Sequence, residues 1–167
     1  MKSNGFTLVE VMVVIAIIAI ILSVAAFNFK DMKGKADTEK QTRELQSDLT
    51  NIRLTALQNK QRSALLLGPR KYIYMTYSSE HEDDAAGTEI NTVNYRFELK
   101  KKSGSGGLEV LDITKDRIEF DSRGFANNST TLVVTPVTYS GGLDCIVVQT
   151  VRTSIGRMED DSTCRKQ

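Results

Sequence analysis

Residues 11–27 are apolar except for Ser23, and one carboxylate, Glu10, stands at the head of this run. As a helix rising ~1.5 Å per residue, the run measures about 26 Å. Adding residues 6–9 and Phe29 brings it to the ~30 Å of a bilayer's hydrocarbon core. Neither Gly nor Pro breaks it, and its Val, Ile, Leu and Ala suit lipid on every face. Three readings fit such a segment. It is a plain transmembrane anchor, or a secretory signal removed at Ser23-Val24-Ala25 or Val24-Ala25-Ala26, or a segment whose meaning is set by Gly5 and Glu10.

The remainder has a different character. The chain is 40% hydrophobic and 26% charged, with 22 basic against 21 acidic residues. That composition is not that of a disordered protein. The near-neutral balance excludes binding to nucleic acid through bulk charge. Beyond residue 30 the polar body is large enough to bury a core of its own.

Residues 30–62 contain no Pro and many helix formers. Residues 30–44 are nearly all polar, so this neck is expected to be solvated, and Gly34 to loosen it. From Leu45 the pattern changes, as Leu45, Leu49, Ile52 and Ala56 recur at helical spacing with Leu57 beside them. This stripe is expected to pack on the domain's own sheet.

The period then becomes strand-like. Strands are predicted at 63–67 and 71–77, flanking the turn residues Gly68-Pro69. Residues 78–92 are expected to form an exposed acidic loop. Further strands are expected at 94–101, 108–113, 117–121, 131–138 and 144–152, with a short one at 155–158. Ser103-Gly104-Ser105-Gly106-Gly107 is a flexible turn, and Arg123-Gly124 a turn using a Gly of positive φ. One long helix followed by short strands, without βαβ alternation, predicts an α+β domain with a mostly antiparallel sheet.

No catalytic constellation emerges. His81 is the single His and lies in the acidic stretch, so no Ser-His-Asp arrangement is expected. No Gly-rich phosphate motif occurs. Carboxylates cluster at 80–84 and 159–161 without EF-hand spacing, and the expected reading is solvated surface. Cys145 and Cys164 lack the Cys-x-x-Cys or His pattern of a metal site. No cofactor is expected, and the chain is not expected to be an enzyme.

The stretch Gly5-Phe6-Thr7-Leu8-Val9-Glu10-Val11-Met12-Val13-Val14-Ile15-Ala16, behind the basic leader Met1-Lys2-Ser3-Asn4, resembles the prepilin leader of type IV pilins and type II secretion pseudopilins. The resemblance implies cleavage after Gly5 by a prepilin peptidase and methylation of the new amine on Phe6. The apolar run stays as a membrane anchor and then as the packing helix of a filament. Glu10 then lies four residues from the Phe6 amine, and an adjacent subunit offers that cation as its partner. A carboxylate in an apolar span costs ~2.5–3.5 kcal/mol near the centre and less near an end, so Glu10 acts as a register device rather than a source of net stability.

The family often has Pro where Phe27 stands and Gly where Ala19 stands. Their absence here leaves a helix less easily kinked. Counting bases alone, Lys30, Lys33, Lys35, Lys40 and Arg43 against Lys2 would put the body in the cytoplasm. The resemblance and the cysteines override that count and imply a periplasmic body.

In the C-terminal half, Arg117-Ile118-Glu119-Phe120-Asp121-Ser122-Arg123-Gly124 resembles the strand and turn of GspH/FimT-type minor pilins and pseudopilins. So do Cys145-Ile146-Val147-Val148, Ile155-Gly156-Arg157 and the late Cys164. In a periplasmic body Cys145 and Cys164 are expected to be oxidised, closing a loop whose constraint stabilises by ~3 kcal/mol; two free thiols are the alternative.

The implied organisation is a leader at 1–5, a transmembrane and filament-core helix at 6–29, a neck and amphipathic helix at 30–62, and a β-rich periplasmic head at 63–167. The implied function is that of a minor type IV pilin. The alternative is a minor pseudopilin of type II secretion, and a third, weaker reading is a DNA-binding minor pilin for DNA uptake. The implied partners are the prepilin peptidase, other pilins or pseudopilins, the inner-membrane assembly platform, and membrane lipid before assembly. DNA-uptake relatives carry a basic Gly-Arg-x-Arg pattern where this chain has Gly156-Arg157-Met158-Glu159-Asp160-Asp161. Carboxylates there repel a phosphate backbone, so nucleic acid is not expected as a partner, although Arg152, Arg165 and Lys166 remain basic.

Overall fold

The computed structural model describes residues 7–81, 83, 86–104, 106–137, 141–160 and 163–166, without the side chains of 24–28 and 30. Helix α1 spans Leu8–Asn59. It ends where Lys60 takes φ +55° and the Gln61 N–H returns to the Ala56 carbonyl at 3.3 Å. That is the Schellman closure, which usually employs Gly. Gly34 does not interrupt α1, and no atom lies near enough to meet a side chain there.

By packing, the chain divides into two compact units, Met1–Gly34 and Lys35–Gln167. In the second, ten strands follow the helix among the described residues: β1 Ser63–Leu67, β2 Lys71–Thr76, β3 Thr88–Asn94, β4 Glu98–Lys102, β5 Leu108–Val110, β6 Arg117–Phe120, β7 Thr130–Thr135, β8 Cys145–Val148, β9 Thr153–Met158 and β10 Cys164–Lys166. Among the described residues they form two sheets, ordered β3-β2-β1-β6 and β10-β9-β8-β7-β4-β5. Every strand pair is antiparallel. The α+β class therefore stands, with two sheets where a single one was expected.

Both sheets close on the helical stripe. Leu45, Leu49, Ile52 and Ala56 form one core with Leu65, Tyr72, Ile118 and Phe120 of the first sheet and Leu99, Leu132, Val134, Ile146 and Val148 of the second. On β7 and β8 the side chains alternate between faces. Leu132, Val134 and Ile146 enter this core, while Val133 and Cys145 join Met158 in a second cluster.

The neck departs from its expected solvation. Thr38, Gln41 and Thr42 are buried, and each polar group finds a partner. The Thr42 hydroxyl donates to the Thr38 carbonyl at 2.9 Å. The Gln41 carboxamide donates from Nε2 to the Phe97 carbonyl and accepts from the Phe97 N–H, both at 2.9 Å.

Within the expected acidic loop, residues 88–92 belong to β3. Among the described residues this edge strand pairs only with β2, and its side chains are exposed apart from the half-buried Val93, so its composition is polar. The expected strand at 94–101 begins only at Glu98, because Tyr95 and Phe97 turn their backbones to Arg70 and Gln41. The expected strand at 144–152 is instead β8 and the turn into β9, closed by the Gln149 N–H to the Arg152 carbonyl at 2.9 Å. This turn has no Gly or Pro. Arg53 of α1 steadies it, with Nη1 donating to the Val151 carbonyl at 2.6 Å and Nη2 reaching the carbonyls of Thr150 and Gln149. Strand β7 stops at Thr135, and residue 138, the expected end, lies outside the described residues. Gly124 has the expected positive φ, +75°.

Candidate processing and assembly segment

Gly5 and Phe6, the expected cleavage pair, lie outside the described residues. Thr7, the first of the described residues, starts the helix. Its carbonyl accepts from the N–H groups of Glu10 and Val11, at 3.1 and 3.3 Å. Its Oγ1 accepts from the Glu10 N–H at 3.3 Å. Thr7 is thus the N-cap and Glu10 the third helical residue, the Thr-x-x-Glu spacing of a capping box. A carboxylate in the first turn also faces the positive end of the helix dipole. The spacing was visible in the sequence, but its capping role was hidden behind the apolar context.

From Val11 to Leu22 the helix is apolar on all sides, and its side chains, like those of Leu8 and Val9 before them, stand exposed. Leu8, Met12, Ile15, Ile20, Ile21 and Leu22 all stand exposed. The one polar interruption, Ser23, is satisfied locally, its hydroxyl donating to the Ala19 carbonyl at 2.8 Å. A helix surface apolar all round requires an apolar environment, whether lipid or other helices. Among the described residues no helix is long and apolar enough to cross a membrane. The expected span 6–29 takes in Phe6 and the side chains of 24–28, which lie outside the described residues.

At the other end of the chain, Cys145 and Cys164 form a disulfide with Cα atoms 6.2 Å apart. It ties β10 to the second sheet, where Cys164 pairs with Met158 and Lys166 with Gly156. Gly156 makes this possible, because a Cβ there would sit 2.3 Å from the Arg165 carbonyl oxygen. Of the basic C-terminal residues, Arg165 is neutralised by Glu159 at 2.9 Å. His81 is exposed, and among the described residues no group of His, Cys, Asp or Glu is arranged to hold a metal.

In the second unit a groove of about 480 Å³ lies between α1 and the β3 side of the first sheet. Its charges are paired internally. Arg96 meets Asp37 at 2.6 Å, Lys40 meets Glu44 at 3.8 Å, and the Tyr72 hydroxyl donates to Asp48. Burial first, and then that bond to Asp48, hold the Tyr72 hydroxyl protonated above the usual tyrosine range. The lining contains neither His nor Cys, so it offers no nucleophile and base of the Ser-His or Cys-His kind. Sequence reading missed this groove, because its residues are polar and come from separate parts of the chain.

Residues 1–26 match the family model of the prokaryotic N-terminal methylation motif. No curated protein and no solved structure matches the chain.

Proposed function

From a chain that carries the prepilin-type signal of type IV pilins and pseudopilins, we propose a minor type IV pilin of the GspH/FimT type, structural rather than catalytic. A prepilin peptidase cuts between Gly5 and Phe6 and the new Phe6 amine is methylated. The segment 6–29 anchors the chain in the inner membrane, with residues 63–167 as a periplasmic head. The same segment then packs against other pilins at the assembly platform, and Glu10 meets the Phe6 amine of a neighbour.

The single observation that carries the pilin-type reading is the motif match at residues 1–26; its narrower GspH/FimT form rests on the resemblance of residues 117–124, 145–148 and 155–157. Two features support the pilin-type reading. The Thr7 cap starts the helix one residue beyond the proposed new terminus, so cleavage leaves the helix intact. The apolar surface from Leu8 onward is uncovered and needs partners. The test is N-terminal analysis of the chain isolated from its host's membranes. A methylated Phe6 start is expected. A start near Ala26 would make the chain an ordinary secreted domain.

A further inference from the structure

Asn127-Asn128-Ser129-Thr130 contains two overlapping Asn-x-Ser/Thr triplets, and no other Asn of the chain has Ser or Thr two residues on. The triplet is the acceptor pattern for N-linked glycosylation, which requires a surface loop. The fold supplies that loop between the Phe120–Ala126 bridge and the first residue of β7. The two asparagines differ in their bonding. The Asn127 backbone N–H donates to the Glu119 carbonyl at 3.0 Å, and its Nδ2 donates to Glu119 Oε2 at 3.2 Å. Asn128 and Ser129 are exposed, and among the described residues no hydrogen bond holds either side chain. Thr130, two residues after Asn128, is the first residue of β7, half-buried and paired with Val148; a strand's end opens at lower cost than its middle.

We propose that Asn128 is an N-glycosylation site. The co-substrate is a glycosyl donor activated as a diphosphate, carried on a nucleotide or on a lipid. Asn128 Nδ2 forms a bond to the anomeric carbon of the sugar while the bond from that carbon to the phosphate oxygen breaks. The diphosphate leaves with the electron pair, the amide nitrogen gives up one proton, and nothing is oxidised or reduced. The Thr130 hydroxyl is the group by which a transferase recognises the acceptor. Asn128 is exposed and outside the core, so the glycan disturbs no core contact.

The test is mass spectrometry of the full chain from its native host's membranes, intact and as the reduced tryptic fragment 124–152. Sugar mass on that fragment, localised to Asn128, is expected. A single sugar identifies a nucleotide-linked donor and a block of several a lipid-linked one. Asn128→Gln and Thr130→Ala are each expected to abolish the added mass, and Asn127→Gln to leave it in place. An unmodified fragment, or sugar localised to Asn127, would overturn the proposal. The intact mass reports the N-terminal processing separately.

Discussion

The side chain of Gln41 reads the backbone of Phe97 as a neighbouring strand would, giving an N–H to its carbonyl and taking one from its nitrogen, both at 2.9 Å. Gln41 is 6% exposed. Its carboxamide therefore completes, from the helix, a segment that leaves the ladder just before β4. Replacing Gln41 by Leu would leave a donor and an acceptor of Phe97 without partners, at a cost of about 1–3 kcal/mol. Gln41→Glu would keep the acceptor but oppose a carboxylate to the Phe97 carbonyl, and the loss should shrink in acid as that carboxylate protonates. Urea unfolding of the full chain in detergent, followed by tyrosine near-ultraviolet dichroism, measures both effects.

This pairing also marks where sequence reading stops. Leu45, Leu49, Ile52 and Ala56 were legible because apolar residues at helical spacing are informative on their own. Thr38, Gln41 and Thr42 continue the same buried face but are polar, and their burial depends on partners invisible along the chain. Strand β3 was hidden because an edge with water on both sides needs no alternation. The β8–β9 turn was hidden because Arg53, about a hundred residues away in sequence, does the work usually assigned to Gly. At the N-terminus the motif was legible outright, since it is a run of consecutive residues, matched at 1–26.

Gly156 and the disulfide act on the same strand. A methyl group at Gly156 would meet backbone at 2.3 Å, and no side-chain rotation relieves that. Gly156→Ala is expected to displace β10 and leave Cys145 and Cys164 accessible to alkylation. Cys164→Ser releases the same strand without a clash, and loses about 3 kcal/mol by loop-closure entropy. Thiol counting and urea midpoints should place Gly156→Ala at least as low as Cys164→Ser.

Lys60 holds a left-handed conformation, φ +55°, at the end of α1. A side chain in that region costs roughly 1–2 kcal/mol, against nothing for Gly. The Gln61 N–H to Ala56 carbonyl bond shows that the conformation is needed to close the helix. Lys60→Gly should therefore stabilise the head by up to about 1 kcal/mol, part of the gain being lost to the freer unfolded chain. Lys60→Val should destabilise it. Thermal midpoints compared across the two variants decide the sign.

Alkaline pH offers a test of the groove. Burial first, then the bond to Asp48, raise the Tyr72 pKa above its ordinary value. Burial first, then Tyr72 and Asp48, raise that of Tyr95. A raised pKa means that the folded chain binds more protons than the unfolded chain once pH exceeds the ordinary tyrosine value of ~10. The stabilisation is thus complete below pH ~10 and is lost as pH rises toward the folded-state values. Tyrosinate absorbance of the full chain should show these two side chains ionising only with unfolding. Tyr72→Phe should weaken the decline in stability above pH ~10. An unchanged alkaline profile in that variant would show that the Tyr72 hydroxyl contributes nothing to the decline.

Thr7 and Glu10 share one helix end but have separable duties. Thr7 supplies the oxygen that accepts the Glu10 N–H at 3.3 Å, and Thr7→Ala should loosen the first turn by about 1 kcal/mol. The Glu10 carboxylate is exposed in that first turn. Glu10→Gln keeps the side-chain shape and remains compatible with a capping box, while removing the charge that would meet a neighbour's Phe6 amine. Membrane extraction should find Glu10→Gln inserted like the parent chain. Pull-down with other pilins should find it poorly incorporated, while Thr7→Ala is incorporated nearly normally. If Glu10→Gln assembles as well as the parent, the carboxylate serves the helix end alone and the register between subunits is set elsewhere along the apolar run.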